Sequence, residues 1–195
     1  PITRPEFEKV NLSGAIFDDS GGKDINDLDG SLEDLIKKHI TWVDTAGQSG
    51  QYLDLSGYDV RPIKNLRGAK LTAVKAENAN FYGMKMNKIE FQHSKISGAD
   101  MRYCALEESD FRGAAMKEIK LAHANLKGSD FSPLILDDGK RKVADLTNAN
   151  LRYCDLTDVN FQGAILTGAD LTNAKMLNTN TNGAEMTGTK FNDKR

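Results

Sequence analysis

The side chains of this chain that could hold a metal or attack a substrate are few: His39, His93 and His123, with Cys104 and Cys154. A zinc centre draws its ligands from short spacings such as Cys-x2-Cys or His-x3-His. No two of these five residues stand that close, and no carboxylate pattern around them completes a set, so no metal site is expected. The cysteines occupy matching triplets, Arg102-Tyr103-Cys104 and Arg152-Tyr153-Cys154, and read as small buried thiols rather than a redox pair. No GxSxG turn, phosphate-binding glycine loop or dinucleotide fingerprint occurs either. The expectation is a protein that is not an enzyme and carries no cofactor.

The elements that must position these residues have an unusual period. From Leu66 to Phe191 a large apolar residue returns at every fifth position, as in Leu66, Leu71, Phe81, Met86 and Phe91, with only Ala76, Arg141 and Thr181 breaking the series. An α-helix advances about 100° per residue, so positions five apart drift around its faces. A flat strand alternates with period two, so an odd repeat throws successive large residues to opposite sides. The pattern is kept only if the chain turns a corner once per repeat. With the large residue called i, position i−2 shares its face and is small: Ala79, Ala99, Cys104, Ser109, Ala114, Ala124 and Cys154 are examples. Eleven of the seventeen glycines fall at i+2, where a corner needs backbone freedom. Asp or Asn recurs at i−1, expected to face water together with i+1 and i+2.

Stretches such as Asn65-Leu66-Arg67-Gly68-Ala69 and Gly168-Ala169-Asp170-Leu171-Thr172-Asn173-Ala174 resemble the A(D/N)LxG signature of pentapeptide-repeat proteins over about the last seven-tenths of the chain. The resemblance implies an all-β fold: a right-handed quadrilateral parallel β-solenoid, four pentapeptides per coil, here with one short N-terminal α-helix. Residues twenty apart should then lie above one another, so Phe91, Phe111 and Phe131 are expected to form a buried stack. Cys104 and Cys154, fifty apart, should lie two and a half coils apart on opposite faces, too far for a disulfide. His93 and His123, both at i+2, are placed on adjacent sides rather than one face.

Two blocks divide the chain. Residues 1–52 hold a coil fragment around Phe7, Leu12 and Phe17, an acidic connector expected to be a mobile loop from Asp18 to Gly30, and a capping helix at about 31–47. Ser31 is a good N-cap, and Leu35, Ile36, His39, Ile40 and Val43 share a face suited to cover the end of a solenoid. His39 and Trp42 are read as packing residues. Residues 53–195 are the solenoid, with an irregular segment at 137–142 that keeps the five-residue phase and is therefore either one irregular side or an extruded loop. Its charged residues Asp137, Asp138, Lys140, Arg141 and Lys142 form a possible functional loop.

Residues 1–52 carry 5 basic and 10 acidic side chains, leaving 21 and 18 for residues 53–195. Some gyrase-binding members of the family imitate duplex DNA, which needs dense acidic faces; a mildly basic solenoid without a C-terminal dimerisation helix disfavours that alternative. Without a basic stripe or basic-aromatic interleaving, direct nucleic-acid binding is not expected. No stretch is long and apolar enough for a membrane span, and Pro1–Pro5 has no apolar leader core, so a cytoplasmic protein is expected, monomeric or weakly dimeric. The expected function is a non-catalytic scaffold for an unidentified protein partner. Its candidate surface is Tyr82, Tyr103 and His123 on three successive levels, with Arg102 and Lys120 beside them.

Overall fold

The computed structural model describes residues 22–63 and 65–192; the coil fragment read around Phe7, Leu12 and Phe17 lies outside the described residues. The repeat from Ala99 to Tyr103 shows how five residues satisfy their own backbone. The Asp100 N–H donates to Ala79 O on the coil below, and the N–H groups of Met101 and Tyr103 donate to Lys120 O and Ala122 O on the coil above. The Ala99 N–H closes a turn onto Ile96 O at 3.2 Å. The remaining donor, Arg102 N–H, is taken by the Asp100 carboxylate at 3.2 Å. All five donors are thereby used, as buried backbone requires. The recurrent Asp or Asn at i−1 thus does more than face water: its side-chain oxygen caps the corner amide that the coil-to-coil bonds leave over.

Outside the segment that follows Phe131, the repeat corners have a negative φ followed by a positive one at i+2, the signature of a type II turn. Gly83, at φ 70°, is the residue type such a corner favours. Many repeats put another residue there, Asn78, Tyr103 and His123 among them, and none uses a β-branched one.

Successive coils pair in parallel at one residue per side. Asn65 pairs with Lys85, Lys70 with Glu90, Lys75 with Lys95 and Asn80 with Asp100, so four pentapeptides complete one coil and residues twenty apart lie above one another. The protein is a β-solenoid. Its interior is filled by the i and i−2 side chains, and Phe91, Phe111 and Phe131 stack as expected, with centroids 5.7 and 4.8 Å apart. Phe161 continues the column at 4.8 Å. Ser109 and Ser129 fit this interior because each hydroxyl donates to a carbonyl one coil below, Met86 O and Leu106 O.

Phe161 follows Phe131 by thirty residues, and the pairing shows why: Ala115 pairs with Asp145 and Asp130 with Asn160, a register of thirty instead of twenty. The additional ten residues leave the coil as a hairpin, β3 (Leu134–Ile135) antiparallel to β4 (Arg141–Lys142). Segment 137–142 is therefore an extruded loop, and Leu136 and Arg141 are not inward positions of a side. This corrects the placement of the cysteines. Asn125 pairs with Ala105 below and Asp155 above, so Cys104 and Cys154 lie on the same face, two coils apart. Both remain free thiols.

At the N-terminal end, the connector is partly built into the fold rather than a loop throughout. β1 (Lys23–Asp24) pairs in parallel with β2 (Tyr58–Asp59), and Ile25 in the turn that follows is buried. Helix α1 (Leu32–Asp44) has Ser31 as N-cap, its hydroxyl accepting from the Asp34 N–H at 3.2 Å. Leu32, Leu35 and His39 are buried, Ile36 packs partly buried against the core, and Leu32 and Ile36 line one surface cleft with Ile63, Leu66 and Ala69. The helix lies where the sides starting at Asn65 and Lys70 have no described strand beneath them. This is the end that the sequence reading gave to a capping helix.

His39 joins lid to coil through both ring nitrogens. Nε2–H donates to Thr72 O at 2.9 Å, and Nδ1 accepts from the Leu53 N–H at 3.1 Å, which requires a neutral ring. Burial holds this imidazole below its ordinary value of 6.5, against the smaller opposing pull of the Thr72 bond. The unfolded chain therefore binds the proton more readily. The stability contributed by His39 is complete above about pH 6.5 and is lost as pH falls from there through the folded-state value. Denaturant midpoints at pH 7.5 and 5.5 should fall further in the parent than in His39→Gln. Equal pH dependence in the two would reject this role.

Candidate functional site

The corner that carries Gly83, Tyr103, His123, Tyr153 and Asn173 brings several aromatic residues, Tyr103 and Tyr153 exposed among them, into one column. Tyr82, one residue before the corner, tilts onto Tyr103 with centroids 5.4 Å apart. Tyr103 stacks on His123 at 4.7 Å, and His123 on Tyr153 at 4.7 Å, with interplanar angles of 3° and 4°. The coil rise of about 4.8 Å puts side chains at equivalent corners within ring-stacking range, so the register itself builds the ladder. Tyr103 and Tyr153 remain 52% and 46% exposed. The sequence reading named Tyr82, Tyr103 and His123 and missed Tyr153. The signal was available in the repeated triplets Arg102-Tyr103-Cys104 and Arg152-Tyr153-Cys154, which a register of thirty brings into line.

Arginines flank the ladder. Arg102 lies over the Tyr82 ring, 5.4 Å from its centroid, and Arg152 over Tyr153 at 5.6 Å. Arg102 also forks onto Asp100, Nη2 to Oδ2 at 2.6 Å and Nε to Oδ1 at 2.9 Å. Burial opposes ionisation of Asp100, but the bonds from Arg102 and its backbone amide outweigh it and hold the carboxyl below the usual range. Lys120, exposed, pairs by backbone with Asp100 on the same side and adds to that effect. All five residues of the expected surface thus fall on one side and its corner.

The remaining chemistry-bearing residues are dispersed. His93 sits at the corner opposite His123 in the register, not on an adjacent side. The Cys104 and Cys154 thiols donate to Phe81 O and Leu121 O at 2.9 and 3.0 Å, and burial pushes each up to about 12. They are unreactive in that state. No group of His, Cys, Asp and Glu that could hold a metal occurs among the described residues, and no described helix is long and apolar enough to cross a membrane. A surface groove of about 490 Å³ is lined by Arg67, Asn87, Lys88, Glu107, Glu108 and Lys127. Its polar groups bind one another: Glu107 accepts from Asn87 and Asn125, and Lys88 pairs with Glu108 at 3.2 Å.

In the hairpin, Asp137 and Lys140 are exposed, Asp138 pairs with Lys140 at 2.6 Å, and Ile135 is 63% exposed. Its second strand lies against the solenoid. A Cβ at Gly113 would come within 3.0 Å of Leu134 and 3.3 Å of Lys142, so the docked hairpin needs glycine at that corner. Nothing in the sequence signalled this contact beyond the glycine already assigned to the turn.

The fold is similar to that of HetL, a pentapeptide repeat protein involved in heterocyst differentiation regulation in the cyanobacterium Nostoc sp. strain PCC 7120. It is 24% identical, with 73% of this chain and 70% of that one covered and a TM-score of 0.60. Rfr23 of the cyanobacterium Cyanothece 51142 is 18% identical, covers 67% and 92%, and superposes with a TM-score of 0.39. QnrB1, a plasmid-mediated fluoroquinolone resistance protein, is 16% identical, covers 73% and 86%, and has a TM-score of 0.38. Among curated protein sequences no relative matches the chain. The family model described as pentapeptide repeats matches in 8 copies over residues 65–102, 99–132, 144–176 and 154–193, and its matches leave out the hairpin. With that match spanning more than half of its length, the chain belongs to the pentapeptide-repeat family.

Proposed function

We propose that this chain is a non-catalytic scaffold, coiled in the right-handed sense that parallel β connections favour, that docks a protein partner on the Tyr82–Tyr103–His123–Tyr153 corner. The observation that carries the reading is the unbroken contact of four rings beside and along one corner, with Tyr103 and Tyr153 about half exposed and Arg102 and Arg152 bordering them. Tyrosine and arginine are the residue types that interface cores collect, and rings already stacked lose little freedom on binding. The solenoid is too mildly basic and mixed in sign to imitate DNA, which leaves gyrase binding as the weaker alternative.

The test is affinity capture from native lysate with the parent and with a Tyr103→Ser, Tyr153→Ser double variant, alongside a gyrase supercoiling assay. A specific partner retained by the parent and lost by a variant that melts normally is the expected result. Equal recovery by both rejects this corner. Inhibition of supercoiling by the parent would favour the alternative.

A further inference from the structure

The hairpin brings a second set of residues together at the opposite corner. His93 and Gly113 occupy the same corner one coil apart, and Lys142 of β4 packs its stem where a side chain at Gly113 would lie. Lys95 begins the next side, two residues beyond His93. Arg141 reaches over Gly163 from the same strand. Two lysines and an imidazole are therefore gathered at the base of the hairpin, with Arg141 turned toward the coil on its other side.

Among the described residues their charge meets no carboxylate: neither Lys95 nor Lys142 has such a partner. The acids bordering this corner are engaged elsewhere: Asp110 with Arg112 at 2.6 Å and Asp145 with Lys117 at 3.3 Å. Glu90, on the side that leads to His93, lines the cleft beside α1 with Lys70. The mutual repulsion is felt within the cluster. Burial and the Lys95 charge hold Lys142 below its ordinary value, and His93 is lowered by burial and then by both lysines. Like charges held together by a docked hairpin are relieved by an anion, and two ammonium groups beside a neutral N–H donor suit the oxygens of a phosphate dianion.

We propose that His93, Lys95 and Lys142 form a binding site for a phosphate group, either free phosphate or the phosphoryl group of a phosphorylated side chain.

The chain has 3 histidines, which makes the experiment selective. Imidazole proton resonances of the full chain are followed by NMR during titration with inorganic phosphate, and separately with a phosphoserine peptide and its unphosphorylated form. The His93 resonances should move saturably while those of His39 and His123 stay in place, and the His93 titration midpoint should rise when phosphate is bound. Lys142→Gln should weaken the effect about tenfold, and Lys142→Arg should restore most of it. A response to both ligands assigns the site to phosphorylated side chains, and a response to inorganic phosphate alone to the free ion. No His93 response to either, the same response to chloride at equal ionic strength, or an unchanged response in Lys142→Gln overturns the proposal.

Discussion

Phe111→Ala is expected to lower stability by about 3–5 kcal/mol, the range for removing a large aromatic side chain from a close-packed interior. Phe111 is fully buried and has a ring on each side, Phe91 at 5.7 Å and Phe131 at 4.8 Å. The coils hold one another at a fixed rise through backbone bonds on every side, so they cannot collapse into the space left behind. The measurement is a denaturant midpoint for the parent and the variant. Phe191→Ala is the control: its ring is 46% exposed and should change the midpoint little. A Phe111→Ala midpoint equal to the parent's would mean that the column is not close-packed.

Loss of the lid should have a larger and different effect. A chain that starts at residue 49 lacks α1 and β1, and with them the Leu32 and Ile36 wall of the cleft beside Ile63 and Leu66 and the His39 bonds to Leu53 and Thr72. Apolar surface and unpaired strand edges become accessible together, which is the combination that drives edge-to-edge association. Light-scattering mass at two concentrations should show association for the shortened chain that the parent does not share. A shortened chain with the same mass and solubility as the parent would remove the lid role.

The coil was legible in the sequence because each pentapeptide meets the same requirement as the last. A wrong reading at one repeat is outvoted by its neighbours, and the i and i−2 residues from Leu66 to Leu171 are buried almost throughout. The helix was legible for a different reason: Ser31 and the spacing of Leu32, Leu35 and His39 are local signals. The hairpin was not. It adds ten residues, two full periods, so the five-residue phase passes through it unchanged and Leu136 and Arg141 look like ordinary members of the series. What an insertion of that length alters is the position around the coil, and this displaced Cys154 and Tyr153 by half a turn in the reading. The role of Asp and Asn at i−1 was also underread, because a side chain pointing toward water can at the same time accept its own corner's amide.

The hairpin also separates chain length from shape. The bonds that fix the coils on either side of it, Asp110 to Asp130 to Asn160 and Ala115 to Asp145, close across the excursion without using any of its residues. The core therefore has no means of sensing how long the excursion is. Lengthening such a loop costs little, about 0.6 kcal/mol for each doubling. A peptide inserted at the tip, between Asp138 and Gly139, would be carried on a rigid mount with its entry and exit fixed in space. Residues anywhere else between Leu66 and Leu171 are bound to the arithmetic of five; at this corner the chain is released from it, and new sequence can accumulate without a coil being lost.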